Sequence, residues 1–338
     1  MTTETGRTDA LRPERLVEFK GQDDVARHLT IVLGAARERE ELPDHMLFSG
    51  PPGVGKTSLA FIIGNELGLP VIATSGPAIE KPGDLASLLA GLTRPTVVFV
   101  DEIHRLPRVV EELLYPAMED GVLDFVLGEG IKARTVRVPV TPFVLVGATT
   151  QSGLLSAPFR DRFGFTARLR LYDTAALAGI VSRSAALIGL DVTPDGALAV
   201  ASRSRGTPRI ANKWLRRVRD WAQTESSGAI DAGVAEAALD AFGVDSLGLD
   251  HLGREVLAAL CTTFGGGPVG LNTLAATVGE APTTLDEVYE PYLMSRALLT
   301  RTPRGRVATA AAYIHLGLDV PAHALIAGVT QLPLHADS

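Results

Sequence analysis

Short apolar runs recur along the first half of the chain and alternate with longer amphipathic stretches. Met46–Phe48, Val97–Val100 and Phe143–Val146 contain only apolar residues. Such uninterrupted runs are typical of strands that are buried on both faces of a parallel sheet, and the amphipathic stretches between them predict helices that cover the sheet. Up to about Tyr172 the pattern therefore predicts an α/β domain with a parallel sheet flanked by helices.

Beyond Asp173 the pattern becomes helical. The periodicity from 210 to 221 predicts a helix that carries Trp214 and Trp221 on one face as packing residues. Further on, helical patterns lie at 255–264, 271–278 and 283–290, and a hairpin pattern follows at 298–309. Three short helices and a small hairpin are the plan of a winged helix. The sequence thus predicts an α/β domain over 1–172, an all-α domain over 173–245 and a winged-helix domain over 246–332.

The composition indicates a protein of a reducing compartment. The chain has 338 residues, which is more than one ordinary core needs. Its single cysteine, Cys261, cannot form an internal disulfide, and we expect a core thiol. No apolar run approaches the roughly 18 residues of a membrane span, and the N-terminus lacks the layout of a signal peptide. We therefore expect a cytoplasmic protein with no membrane partner, whose net charge of −7 limits nucleic-acid contacts to a local basic patch.

The segment Gly50–Thr57 has the phosphate-binding pattern G-x-x-x-x-G-K-[ST] at every fixed position. Glycines allow the loop to wrap closely around phosphates, and its backbone N–H groups then point inward. Lys56 is placed to reach the β- and γ-phosphates, and the Thr57 hydroxyl to bind Mg²⁺. An apolar run precedes the loop and a helical pattern follows it, as this motif requires. The sequence therefore predicts ATP and Mg²⁺ as cofactors.

Two acids, Asp101 and Glu102, follow the apolar run Val97–Val100. In a P-loop enzyme the first acid at such a strand end binds the Mg²⁺ shell, and a second can orient and deprotonate the attacking water. We assign Asp101 to the metal and Glu102 to the water. An ordinary solvated pair of acids is the alternative interpretation, and the P-loop makes it the weaker one. The pair predicts hydrolysis of the bound nucleotide.

Three further residues are candidates for contacts with the γ-phosphate. Thr150 follows the apolar run Phe143–Val146, which places its hydroxyl at the carboxyl edge of the sheet. Arg162, or alternatively Arg160, is a candidate arginine finger supplied by a neighbouring subunit. Arg209 lies in the first turn of a predicted helix, where a cation opposes the helix dipole, and its position therefore suggests a ligand.

The order of motifs along the chain resembles the RuvB family of bacterial AAA+ ATPases, which drive branch migration of Holliday junctions. The resemblance covers nearly the whole chain. It rests on Leu11-Arg12-Pro13, Gly21-Gln22, Gly50–Thr57, Asp101–Leu106, Gly147–Thr150, Arg160–Gly164, Gly206–Ile210 and Arg301–Arg306. It implies an AAA+ ATPase domain, a helical lid and a winged-helix head. It also implies a homo-hexamer that pulls duplex DNA out of a junction held by RuvA, and a RuvC-type resolvase in a larger complex.

The same resemblance implies roles for individual residues. Arg162 corresponds to the family's trans-acting arginine finger, Thr150 to its first sensor and Arg209 to its second. In addition to Lys56, the residues implied to line the nucleotide site are Leu11, Arg12, Gly53, Thr57, Ser58, Glu119, Asp120, Gly121 and Tyr172. The residues expected to contact DNA phosphates are Arg301, Arg304 and Arg306. Gly121 stands where the family usually has an aromatic residue, and Gln151 where it usually has an arginine.

An insertion over 119–141 is not required by the ATPase core, and it reads as a β-hairpin. The resemblance implies that it docks on the mobile domain of RuvA, and folding back on its own subunit is the alternative.

Other function classes compete with the DNA motor. The range 71–96 lacks the aromatic residue expected of a protein unfoldase pore loop. A clamp loader or replication initiator acting as a nucleotide switch on DNA is the main alternative. Asp101–His104 imitates a helicase D-E-x-H box, but without the other helicase motifs we assign His104 a structural role.

Overall fold

The computed structural model describes residues 11–127, 134–225 and 228–327. The chain divides into two compact units, one up to Ala176 and one from Leu177 onward. The first unit contains the predicted parallel sheet, and the second contains the helical segment and the winged-helix segment. No helix of the described residues is long and apolar enough to cross a membrane.

The first unit is built on a parallel sheet. Its strands, with those of a separate hairpin, are β1 (Met46–Ser49), β2 (Val71–Ser75), β3 (Thr96–Asp101), β4 (Val122–Leu127), β5 (Arg134–Pro139), β6 (Phe143–Thr149) and β7 (Phe165–Arg168). Five strands pair in parallel in the order β2-β3-β6-β1-β7, and β4 pairs with β5 in antiparallel fashion. Every residue of β6 is buried, as is all of β3 except Asp101. The predicted buried strands and the predicted hairpin are therefore confirmed.

Helices cover this sheet. They are α1 (Asp23–Arg39), α2 (Lys56–Leu67), α3 (Pro82–Ala90), α4 (Arg108–Glu119) and α5 (Ala157–Arg160), with α6 (Thr174–Leu187) leading into the second unit. Short 3₁₀ turns lie at Leu16–Glu18, Gly76–Ala78, Ile103–Arg105 and Ser152–Leu154. On one face, Leu85 of α3 and Leu114 of α4 pack with Val98, Leu145 and Phe159 in a single apolar core. Since β3 and β6 contribute to this core, their carboxyl ends are held in fixed positions.

The second unit begins with helices, and a side chain that directly precedes one of them caps it. After α6 come α7 (Pro194–Ser202), α8 (Pro208–Glu225) and α9 (Ala232–Ala241). Thr193 accepts a hydrogen bond from the Gly196 N–H and so caps α7, as expected for this residue type. Trp214 of α8 is buried, which confirms its role in packing.

The winged-helix segment follows. Its elements are α10 (His251–Ala258), a π-helical turn (Ala259–Thr263), α11 (Leu271–Thr277), α12 (Pro282–Thr284), a second π-helical turn (Leu285–Tyr289), α13 (Glu290–Ser295), β8 (Leu299–Thr302), β9 (Gly305–Ala308), α14 (Ala310–His315) and α15 (Ala322–Ala327). The helix predicted over 283–290 is longer than expected, because the π-helical turn continues directly into α13. Cys261 is buried in the first π-helical turn, and burial raises the pKa of its thiol to about 11.

Polar contacts join the helical segment to the winged helix within the second unit. Asp250 accepts a hydrogen bond from the Tyr289 hydroxyl at 3.1 Å and lies 3.6 Å from the guanidinium of Arg205. The Arg205 guanidinium also stacks over the Tyr289 ring. Asp245 binds the His315 ring nitrogen Nε2 at 2.8 Å. The connection between the two segments is therefore fixed by side chains.

His45 fixes the amino edge of the sheet, the edge from which the parallel strands start. It lies directly before β1. Its Nδ1 accepts a hydrogen bond from the Leu145 N–H at 2.9 Å, and its Nε2 lies 3.2 Å from the Met118 carbonyl oxygen. A neutral ring with the proton on Nε2 satisfies both contacts. Burial lowers the pKa of His45 below its ordinary value of 6.5, in agreement with a neutral ring.

We predict that the first unit loses stability in mild acid through His45. Because the pKa is lower in the folded chain, the unfolded chain binds the proton first as the pH falls below about 6.5. The free energy of unfolding should be highest above that pH and should decrease until the folded-state pKa is reached. Urea unfolding at pH 5 to 8 measures this decrease. The exposed His28 provides the control: His45→Asn should flatten the pH dependence, and His28→Asn should not. Equal slopes in both variants would contradict the assignment.

Candidate nucleotide site

The loop between β1 and α2 has the conformation that its glycines permit. Gly50, Gly53 and Gly55 all have positive φ angles, of 143°, 80° and 106°, which side-chain-bearing residues rarely adopt. A Cβ atom on Gly50 would also lie 2.4 Å from the Leu169 carbonyl oxygen. Lys56 is buried, and its Nζ donates hydrogen bonds to the carbonyl oxygens of Gly50 at 2.7 Å and Pro51 at 3.0 Å. The ammonium group therefore lies over the loop that is to hold the phosphates.

Two aromatic residues support the loop from behind. The Tyr172 hydroxyl donates a hydrogen bond to the Val54 carbonyl oxygen at 3.1 Å, and burial raises the pKa of this phenol, which stays a neutral donor. The Phe19 ring lies where a Cβ on Gly55 would approach to 3.0 Å. Tyr172 thus contacts the backbone of the P-loop, and its contact with a nucleotide stays a prediction. Phe19 was not predicted, because a single aromatic residue in an N-terminal segment carries no pattern.

The N-terminal segment lies along the helix that leaves the loop. Leu11 is buried, and the Arg12 guanidinium lies 4.7 Å from the centroid of the Phe61 ring in α2. Gln22 donates to the Arg170 carbonyl oxygen at 2.8 Å and accepts from the Arg170 N–H at 3.2 Å, and so joins this segment to the chain after β7. The structure therefore brings Leu11 and Arg12 to the helix that carries Thr57 and Ser58.

Glu102 and Thr150 lie together at the carboxyl edge of the sheet. The Thr150 hydroxyl donates to Glu102 Oε2 at 3.1 Å, and the Thr150 N–H donates to the same oxygen at 3.3 Å. Glu102 has a φ angle of 46°, a conformation that costs a non-glycine residue on the order of 1–3 kcal/mol. The residue before it, Asp101, accepts a hydrogen bond from the Glu102 N–H at 3.0 Å. The two residues predicted as catalytic base and sensor are thus in direct contact.

His104 belongs to the same cluster. Its side chain is only 5% exposed, and its Nδ1 lies 3.2 Å from Glu102 Oε2 and 2.9 Å from the Thr149 hydroxyl. A purely structural role for His104 is therefore incomplete, because its ring contacts the candidate base. The sequence feature that could have indicated this contact is the position of His104 two residues after Glu102.

Arg162 lies at the other edge of the sheet. It follows α5 and precedes β7, whose Phe165 N–H donates to the His45 carbonyl oxygen at 3.2 Å. The Arg162 guanidinium lies 3.2 Å from Glu119 Oε1 and 4.2 Å from the centroid of the Tyr115 ring. β7 has four residues, which span about 13 Å at roughly 3.3 Å each. Arg162 is thus separated from the P-loop of its own chain by the length of the strands.

Glu119, Asp120 and Gly121 also lie at the amino edge, and the structure does not bring them to Lys56 of the same chain. α4 starts beyond the carboxyl end of β3 and ends at Glu119 beside Met118, whose carbonyl oxygen faces His45. Their role in lining a nucleotide site stays a prediction. No local sequence pattern encodes the direction of α4, which carries its last residues to the opposite edge.

The remaining candidates lie elsewhere. Arg160 is exposed at the end of α5. Arg209 is exposed in the first turn of α8, in the second unit. On the wing hairpin, Arg301 and Arg306 form ion pairs with Asp286 and Glu290. Arg304 is exposed in the turn between β8 and β9, and within the described part of the chain its guanidinium has no ion pair.

Comparison with known proteins gives the family. Residues 11–169 match the Holliday junction DNA helicase RuvB P-loop domain, residues 172–245 the RuvB AAA lid domain, and residues 246–317 the RuvB C-terminal winged helix domain. The chain belongs to the RuvB family. The predicted family, the AAA+ P-loop fold with lid and winged helix, and the assignment as an ATP hydrolase are confirmed.

Relatives are similar over nearly the whole chain. The Holliday junction branch migration complex subunit RuvB of Saccharopolyspora erythraea is 55% identical over 323 residues, which cover 96% of this chain and 92% of the relative. The subunit of the same name from Acidothermus cellulolyticus is 55% identical over 97% of this chain and 89% of its own length. The solved structure of the Thermotoga maritima RuvB Holliday junction branch migration motor has a TM-score of 0.84 at 45% identity, covering 92% of this chain and 100% of that one.

We predict that Tyr172 contributes to nucleotide affinity through the loop it supports. Tyr172→Phe removes one hydrogen bond to a backbone carbonyl, worth about 1 kcal/mol, and should weaken ATP binding about fivefold. Tyr292→Phe is the matched control, since its hydroxyl donates to the Leu247 carbonyl oxygen in the second unit. Titration with a fluorescent ATP analogue measures both variants. Unchanged affinity in Tyr172→Phe would mean that Phe19 alone holds the loop.

Proposed function

We propose that this chain is the ATP-driven subunit that moves duplex DNA during branch migration of Holliday junctions, in DNA recombination and repair. One observation carries the proposal: a single chain combines the P-loop and the Glu102–Thr150 contact with a lid and a winged helix that match RuvB from residue 11 to residue 317. The match supports a motor rather than a clamp-loader-like or initiator-like switch. We place the protein in the cytoplasm.

ATP binds at the loop between β1 and α2. Gly53 and Ser58 contribute to the phosphate cradle, and Lys56 neutralises the β- and γ-phosphates. Thr57 and Asp101 are the residues that would bind Mg²⁺. They fit the ion, because a hydroxyl and a carboxylate are the hard oxygen ligands that Mg²⁺ takes, and because Asp101 lies at the carboxyl end of β3. When bound, the ion neutralises charge on the phosphate oxygens.

Thr150 links the γ-phosphate to Glu102. Its hydroxyl has one proton, which it donates to Glu102 Oε2 in the structure. It cannot donate that proton to the γ-phosphate at the same time. Turning the hydroxyl to the phosphate leaves the Glu102 carboxylate with one hydrogen bond fewer to compete with the attacking water, while the Thr150 N–H still holds Oε2. His104 keeps its contact with the same oxygen and limits the directions in which the carboxylate can turn.

The arginine finger acts on the neighbouring subunit. Arg162 lies at the amino edge, about one strand length from its own P-loop, and its Nε is buried without a hydrogen-bond partner among the described residues. Stacking of protomers in a hexameric ring would place this edge against the carboxyl edge of the next protomer. Glu119, Asp120 and Gly121 share the amino edge and would reach the same neighbouring nucleotide. Arg209 is the second sensor, from the lid.

The hairpin β4–β5 is the proposed docking element for RuvA, with a RuvC-type resolvase joining the larger complex. Arg137 of β5 forms a bidentate ion pair with Asp124 of β4, at 3.0 and 3.2 Å, and Val136 is exposed. The cross-strand ion pair stiffens the hairpin, and the exposed apolar residue offers contact area to a partner. The turn over 128–133 lies outside the described residues.

We predict that Glu102→Gln binds ATP but hydrolyses it at least a hundredfold more slowly, because the water loses its base while the phosphate contacts remain. Lys56→Ala should instead weaken ATP binding itself. With RuvA and ATP, the unmodified protein should dissociate a synthetic four-way junction, and Glu102→Gln should not. Near-normal turnover in Glu102→Gln would show that another residue acts as the base. Failure of the unmodified protein on the junction would refute the proposed function.

A mixing experiment tests the composite site. Arg162→Ala and Lys56→Ala subunits should each be inactive alone, since the first lacks the finger and the second the phosphate-binding lysine. Mixed rings should regain part of the ATPase activity, because some interfaces combine an intact P-loop with an intact finger. Arg160→Ala is the control and should keep near-normal activity. Absence of recovery at every ratio, with ring assembly intact by light scattering, would show that Arg162 does not act across the interface.

A further inference from the structure

The wing hairpin places two arginines directly opposite each other. Arg301 of β8 and Arg306 of β9 are register partners. Like charges in such a position repel and destabilise an antiparallel pair. Two arginines that are to contact DNA together therefore need a compensating group nearby, which neither strand supplies.

Glu290, at the start of α13, is that group. Its carboxylate is fully buried. Oε2 accepts from Arg301 Nε at 2.6 Å, and Oε1 accepts from Arg306 Nε at 2.7 Å. Asp286, one helical turn earlier, is partly exposed and accepts from Arg301 Nη2, with Arg306 Nη2 at 3.5 Å. One buried carboxylate thus bridges both strands of the wing.

The carboxylates leave part of each guanidinium available. Both arginines use the edge formed by Nε and Nη2, as the contacts with Glu290 and Asp286 show. A guanidinium has five N–H donors, and in the described part of the chain neither Nη1 takes part in a hydrogen bond. The Arg301 side chain is 42% exposed and the Arg306 side chain 16% exposed, so the Nη1 ends are the groups left to contact phosphate oxygens while Glu290 keeps its contacts.

The backbone of the wing does not depend on this carboxylate. The Arg306 N–H donates to the Val269 carbonyl oxygen at 2.8 Å, and the Val269 N–H donates back to the Arg306 carbonyl oxygen at 3.0 Å. Leu299 and Ala308 are buried at the base of the hairpin. Loss of the Glu290 charge should thus release the two side chains into water while the hairpin persists.

We propose that Glu290, assisted by Asp286, is the positioning residue of the wing: it holds Arg301 and Arg306 side by side in the orientation that contacts the DNA backbone. The inference rests on the proposed motor function and on the DNA contact expected of these two arginines from the resemblance to the RuvB family. The charges on and beside the wing make the positioning proposal testable. Arg301 and Arg306 are balanced by Glu290 and Asp286, whereas the exposed Arg304 is not. Removing the Glu290 charge makes the head more cationic and at the same time removes the orientation, so the two effects have opposite signs.

The test is duplex DNA binding by Glu290→Gln in the full chain. Positioning predicts about tenfold weaker binding despite the added positive charge, because two long side chains must then be ordered on DNA. It also predicts a salt dependence no steeper than that of the unmodified protein. A mere charge effect predicts tighter binding and a steeper salt dependence, since more phosphates would be neutralised. Tighter or unchanged binding would overturn the proposal.

Three variants support the comparison. Glu255→Gln removes the same charge from an exposed site on α10, away from the wing, and should not weaken binding. Glu290→Asp keeps the carboxylate and should recover most of the affinity lost in Glu290→Gln. Asp286→Asn should weaken binding in the same direction by a smaller factor. If Glu290→Gln fails to fold, as judged by circular dichroism and by DNA-independent ATPase activity, Asp286→Asn tests the positioning proposal instead. Unchanged or tighter binding by Asp286→Asn would then overturn the proposal.

The arginine variants separate this inference from the proposed function. Arg301→Ala/Arg306→Ala should reduce the magnitude of the log–log salt slope by about 1.8, at about 0.9 per phosphate. If that double variant binds duplex normally, the wing does not contact DNA, and both the proposed DNA role and the positioning role are wrong. If it binds weakly while folded Glu290→Gln binds normally, only the positioning role is wrong.

Discussion

The two edges of the parallel sheet determine what one chain can do. Parallel strands bring all their carboxyl ends to one edge, where the P-loop, Asp101, Glu102 and Thr150 lie. The same geometry brings the chain before each strand to the other edge, where Arg162 lies. The four residues of β7 span roughly 13 Å, and they separate Arg162 from the P-loop of its own chain. If Arg162 is the trans-acting finger, as we propose, a complete catalytic site needs two subunits and hydrolysis depends on assembly.

The cluster at the carboxyl edge makes hydrolysis depend on the nucleotide. Glu102 is strained, with a positive φ angle, and one of its oxygens is contacted by Thr150 and His104. These contacts fix the direction of one carboxylate oxygen. In our proposal the γ-phosphate competes with Glu102 for the Thr150 hydroxyl. The polar contacts of the Glu102 side chain help to hold its backbone in this strained conformation.

The sequence was sufficient for features that local patterns encode. The P-loop, the acids after β3, the hydroxyl after β6 and the wing hairpin were predicted because each depends on residues that are close in the chain. The edge at which Glu119 lies could not be predicted, because it depends on where α4 ends relative to the sheet. Phe19 behind the loop and Glu290 beneath the wing were not predicted at all. Both act through residues far away in sequence, and neither residue type forms a pattern by itself.

Both sets of arginines proposed to bind phosphate are paired with carboxylates, and burial distinguishes the two arrangements. Glu119 is 55% exposed, and an ion pair of that kind is worth at most about 1 kcal/mol. In our proposal a phosphate with two charges displaces it, and Arg162 leaves Glu119 when a neighbouring nucleotide arrives. Glu290 is fully buried and bridges two arginines, and separating it from them would leave an uncompensated charge in the protein interior. In our proposal Arg301 and Arg306 therefore keep this carboxylate when they contact DNA. An exchangeable pair suits a finger that must engage and release in every ATPase cycle, whereas a permanent one suits a wing that must present the same surface to each new stretch of duplex.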